Sequence, residues 1–148
     1  MTAITISLRV TAPGPAAARV SVGRRQFSIG RPVEFDDASP YVAALEYALG
    51  AAGGEVVNGL REFARRRRVV IDGIEAVVSG ELQNALTYLE VVGETARPRL
   101  ARIAIKVFVS SPDTAATQAL FDETIDRLPL VCTLRDALDL DIELVATP

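Results

Sequence analysis

The sequence predicts an α+β fold in which an antiparallel sheet and one long helix bury each other. Three observations carry that reading. Apolar–polar alternation runs through residues 4–10 and 138–144, and Ile103, Ile105, Val107 and Val109 recur at every second position, the period of a half-buried strand. Apolar side chains recur every three or four positions from Val42 to Phe63, which is one continuous face of a helix. Strands also gather in hairpins toward the two ends instead of alternating with helices, an order that favours α+β over a doubly wound parallel sheet.

Taken in order, Ile4, Ile6, Leu8 and Val10 fall on one face and Thr5, Ser7, Arg9 and Thr11 on the other. Pro13-Gly14-Pro15 breaks that strand. Val20 and Val22, then Phe27 and Ile29, give two further strands joined through Gly23-Arg24-Arg25, so an N-terminal antiparallel meander is expected. Ser39-Pro40 opens the long helix, because Ser is a good N-cap and Pro suits the first helical position. Asp36 and Asp37 just before it complement the helix dipole, and the stripe runs to about Arg66.

Gly50, Gly53 and Gly54 fall inside that helix, each at a cost of up to about 1 kcal/mol relative to Ala. Close packing against a neighbour is the favoured reason for them, and a small cavity lined by Ala52 and the glycines is the alternative. Residues 74–82 read as a strand, and residues 84–98 as either a helical turn or a covering loop. Ser111-Pro112 repeats the helix start, with Ala116, Leu120, Phe121 and Ile125 as its apolar stripe. Pro129 begins a short helix through Ala137, and the last strand alternates Leu138, Leu140, Ile142 and Leu144 with acids. At 148 residues this is one domain's worth of chain, enough to bury about 70% of its unfolded surface.

Composition narrows the chemistry. The chain has no His and one Cys, Cys132. Imidazole-based nucleophiles, proton shuttles and metal ligands are therefore absent. A single thiol closes no intrachain disulfide and runs no two-thiol redox cycle. A net charge of −3 argues against a nucleic-acid partner. The start lacks a basic, then apolar, signal pattern, and no apolar run approaches the ~18 residues of a membrane span. The expected location is the cytoplasm, which one unpaired Cys fits.

Arg65-Arg66-Arg67-Arg68 is the strongest charge run. Its position at the end of the long helix, where cations offset the dipole, favours a solvated helix end over a nucleic-acid or acidic-lipid patch. Glu46, Glu55, Glu62, Asp122, Glu123 and Asp126 are candidate acid–base or hard-metal groups, but no motif fixes two of them together. No cofactor fingerprint occurs among the glycines. Tyr41, Tyr47 and Tyr88 read as core or interface residues with a wet hydroxyl.

Ser39-Pro40 leading into Ala44-Leu45 and Ala48-Leu49-Gly50-Ala51-Ala52, with the later Leu128-Pro129-Leu130-Val131-Cys132-Thr133-Leu134, resembles the OsmC/Ohr family of organic hydroperoxide reductases over most of the chain. The resemblance implies an OsmC-like α+β fold in an intertwined homodimer, its sheets wrapped around two long central helices. It sets Ala52 where the family carries its helix cysteine and Leu128 where it carries the cysteine before proline. Both positions are apolar here. Cys132 occupies neither, and Arg19, Arg24, Arg25 and Arg31 compete for the family's active-site arginine.

The expectation is a single OsmC-like domain and a dimer without thiol catalysis. Its interface pocket, lined by Ala52, Gly53, Glu55, Leu128 and Pro129, would suit a small apolar or acyl ligand. No metal or cofactor, nucleic acid or membrane is expected. Glu55 stands out because it follows Ala52 by three residues, near the family's reactive position. The alternative is a thiol-dependent organic hydroperoxidase in oxidative stress defence, using Cys132 alone and an external thiol, although buried Cys more often behaves as a small hydrophobe.

Overall fold

The three-and-four stripe closes into helix α1 (Ala44–Arg67) in a computed structural model that describes residues 1–148. The helix begins later than Ser39-Pro40. Those residues form a turn instead, with the Ser39 N–H donating to the Asp36 carbonyl (3.0 Å) and the Tyr41 N–H to Ser39 Oγ (3.4 Å). Asp36 and Asp37 thus belong to this turn and do not stand at the helix start. The helix start is held by Glu46, whose carboxylate reaches back to accept the Ala43 N–H at 2.7 Å, half of a capping box.

The chain divides into two units, residues 1–48 and 49–148. In the first, β1 (Arg9–Thr11), β2 (Ala18–Val22) and β3 (Arg25–Ile29) form the expected antiparallel meander. Val10 faces Val20 and Val20 faces Phe27 across it. Gly23, at φ 59°, turns β2 into β3 in the left-handed region that glycine tolerates. The first strand is shorter than the alternation predicts. Its pairing begins at Arg9, and Ile4 and Ile6 are 86% and 84% exposed. The unit offers residues 4–8 no strand partner, so a strand-like sequence stays uncovered.

In the second unit, β4 (Gly73–Gln83), β5 (Arg99–Ser110) and β6 (Asp139–Thr147) form a sheet in that order. The β4–β5 pairing is antiparallel, as predicted, whereas β5 and β6 run parallel. The two helices α3 (Thr114–Ile125) and α4 (Pro129–Ala137) lie between them in sequence and supply the crossover that a parallel pair requires. The ambiguous stretch before β5 holds a four-residue helix, α2 (Ala85–Tyr88), among turns. Helix α3 starts two residues beyond Pro112, with the Asp113 carboxylate accepting the Ala116 N–H at 2.9 Å.

Alternation along β5 sends Ile103, Ile105, Val107 and Val109 inward. They meet Ala52, Val56 and Leu60 of α1, Phe121 and Ile125 of α3, Leu128 just before α4 and Val131 within it in one largely aliphatic core. The opposite face of the sheet carries ion pairs, Arg102 with Asp139 and Asp141 and Lys106 with Glu143, beside the exposed side chains of Val77 and Phe108. The arginine run ends α1 as a solvated helix end. Arg65 and Arg66 pair with Glu62, and Arg67 with Glu123 of α3.

Candidate functional site

Helix α4 starts at Pro129, which has no N–H, so its first donors are the N–H groups of Leu130 and Val131. Leu128 in the N-cap position has no side-chain acceptor to offer them. The acceptor comes from α1. Glu55 takes the Leu130 N–H on Oε1 at 2.9 Å and the Val131 N–H on Oε2 at 2.8 Å. The Cys132 N–H is already bonded to the Leu128 carbonyl at 2.9 Å. One half-buried carboxylate therefore satisfies the start of the helix and places a negative charge on the positive end of its dipole.

Around that contact the packing is apolar. Ala52, one turn before Glu55, has no exposed surface, and Leu128 is 5% exposed. Leu128 lies against α1 at Gly59, where an added Cβ would come within 2.5 Å of its Cδ2. Gly53 faces Val78 of β4, with the corresponding distance to Cγ2 also 2.5 Å. Close packing is thus the reason for Gly53, whereas Gly50 and Gly54 face open space. Ala52, Gly53, Glu55, Leu128 and Pro129 share one region of the second unit. The chain's own side chains leave little open surface there except at Pro129.

Cys132 is half-buried, and its thiol donates to the Asp126 carbonyl at 3.6 Å. It lies one turn into α4, away from the helix start that Glu55 holds. The other acidic candidates each have separate partners. Glu46 takes a backbone N–H of α1, Glu62 and Glu123 take arginines, Asp126 takes Arg135, and Asp122 accepts from Gln118. No three His, Cys, Asp or Glu side chains converge. Arg19, Arg24, Arg25 and Arg31 are all exposed in the first unit. In that unit Tyr47 packs against Phe27 with ring centroids 5.3 Å apart. No helix is long and apolar enough to cross a membrane.

Sequence reasoning singled out Glu55 for its proximity to Ala52. The capping role was not visible, because the donors lie 75 and 76 residues away. The only local signal was a Pro-led helix start with no capping side chain at Leu128.

No family model and no curated protein matches the sequence. The fold does match solved structures. An OsmC-like protein from Mycoplasma pneumoniae superposes with a TM-score of 0.79 at 12% identity, covering 99% of this chain and 100% of the other. An organic hydroperoxide resistance protein from Legionella pneumophila gives 0.68 at 10% identity, with both chains covered in full (100% of each). The organic hydroperoxide resistance protein of Bacillus subtilis gives 0.61 at 17% identity over 95% and 98% of the two chains. End-to-end coverage in each case shows that the architecture is shared as a whole: this chain has the OsmC-like α+β fold of the organic hydroperoxide resistance proteins.

Proposed function

We propose that this chain is a homodimer that keeps the fold of the hydroperoxide resistance proteins without their thiol chemistry, and that it binds a small apolar ligand at the subunit interface. The observation that carries this reading is the start of α4. A peroxidatic thiol must ionise, and a helix N-terminus promotes that by favouring negative charge. Here the Glu55 carboxylate already occupies that position, and the residues the resemblance assigns to the two thiols are Ala52 and Leu128, both buried and apolar. The thiol that is present, Cys132, is hydrogen-bonded to a carbonyl.

The dimer is supported by apolar surface that one copy leaves uncovered. Ile4, Ile6 and Leu8 are exposed in a segment with a strand's alternation, and Gly50 and Gly54 present open space on α1, where a second helix can approach closely. Ala52, Gly53 and Leu128 are buried within one protomer, so a pocket beside Glu55 and Pro129 needs the second copy to supply much of its wall. With the carboxylate engaged, what remains is apolar, which suits a hydrocarbon or acyl group. By likeness to the proteins of the same fold, its setting is stress defence.

The test is consumption of cumene hydroperoxide by the pure protein with excess dithiol, beside Cys132→Ser. No turnover by either protein is expected. Peroxide loss that disappears in Cys132→Ser would overturn the non-catalytic reading and make Cys132 a single-cysteine nucleophile. Sedimentation at micromolar concentration tests the dimer, which is expected at twice the 15.8 kDa of one chain.

A further inference from the structure

A cleft lies beside the C-terminal end of α1, wholly within the second unit and apart from the α4 contact. Its volume is about 470 Å³, in the range of small-ligand sites. Its floor is apolar, formed by Ala64, Val69, Ile71 and Ile74. Ala64 is 4% exposed, and Ile71 and Ile74 pack against the core from below. Charges of both signs line the same cleft: Arg61 and Arg65, one turn apart on α1, and Asp72 in the turn that leads to β4.

Of the three charges in the cleft, only Arg65 has an ion-pair partner within the chain. Arg65 forks onto Glu62 through Nε and Nη2 at 3.3 and 2.8 Å, Arg66 shares that carboxylate, and Arg67 takes Glu123. Arg61 forms no ion pair, and neither does Asp72, whose backbone N–H donates to the Ser110 carbonyl at 2.9 Å while its carboxylate has no partner. An unpaired guanidinium and an unpaired carboxylate therefore line one cleft without closing on each other, with an apolar floor in the same opening. An occupant that satisfies all three surfaces carries a carboxylate for Arg61, an ammonium for Asp72 and aliphatic bulk for the floor. A dianion such as phosphate would meet Asp72 as a like charge, and a plain hydrocarbon would leave both charges unpaired.

We infer that this cleft binds an aliphatic zwitterion, an apolar amino acid or short apolar peptide with free ends. The proposal is independent of the non-catalytic reading, since it uses none of the residues around α4. Leucyl-leucine is the probe, titrated into the intact protein and followed by amide shifts at Ala64, Val69, Ile71 and Gly73. Octanoate and octylamine serve as single-charge comparators. The expected result is saturable binding of the dipeptide, weakened about tenfold by either Arg61→Gln or Asp72→Asn. Both residues are exposed, so these variants should keep the fold, which circular dichroism checks. Absence of dipeptide binding up to about 10 mM would overturn the proposal. So would octanoate binding as tightly as the dipeptide while Asp72→Asn changes nothing, because that outcome describes an anion site.

Discussion

Two N–H groups at the start of α4 depend on a single side chain, Glu55. Removing it leaves a helix start without an acceptor, so Glu55→Ala is expected to lower stability by about 1–2 kcal/mol in urea unfolding. Glu55→Gln, which keeps one carbonyl oxygen, should lose less. A neutral Glu55→Ala would mean that the cap contributes nothing. The same carboxylate governs what a thiol in this region can do. In a Cys132→Ser background, Leu128→Cys places a thiol beside a helix end already occupied by negative charge, and its alkylation at neutral pH should be slow. Adding Glu55→Gln removes that charge and should speed alkylation several-fold, since rate follows the thiolate fraction. Equal rates in the two variants would show that Glu55 does not suppress ionisation there.

Helix α1 combines two kinds of glycine, which the structure distinguishes and the sequence does not. At Gly53 a new Cβ would come within 2.5 Å of Val78 Cγ2, and a β-branched neighbour on a strand has few rotamers with which to yield. Gly53→Ala is expected to cost about 1–3 kcal/mol through overpacking. At Gly54 nothing lies within 4 Å, so Ala there should stabilise an isolated protomer by up to about 1 kcal/mol. If a partner helix uses that space, Gly54→Ala instead weakens the dimer, and sedimentation distinguishes the two outcomes. The far end of α1 is tied to α3 by Arg67 and Glu123. The hydrogen bond from the Arg67 guanidinium, aided by its charge, holds the Glu123 carboxyl below its ordinary value of 4.5. A carboxyl with a lowered folded value contributes stability that is complete above the unfolded value and fades as pH falls through the folded one. The stability gap between wild type and Arg67→Gln should therefore be present at neutral pH and shrink below pH 4.5, as unfolding across a pH series would show.

For the whole molecule, the uncovered alternation at Ile4, Ile6 and Leu8 leaves a strand-like segment without a pairing partner in its own unit. Deleting residues 2–8 is expected to shift the proposed dimer to monomer while β4, β5 and β6 remain folded; a truncated chain that sediments as the intact one would remove that segment from the interface. The sequence by itself determined the order of the strands and the three longer helices, though not α2, because alternation along Ile103–Val109, the stripe through Val56 and Leu60, and the Pro129 start are local patterns that a half-buried strand or helix imposes directly. It also determined, through the lack of His and the single Cys132, which chemistries are closed to the chain. Only the tertiary structure decided that β6 runs parallel to β5, that residues 4–8 stay unpaired, that Leu128 fills the face of Gly59, and that Glu55 caps a helix 75 residues away. These are contacts between segments distant in sequence. No local period encodes them, because they depend on which surfaces meet once the core has closed.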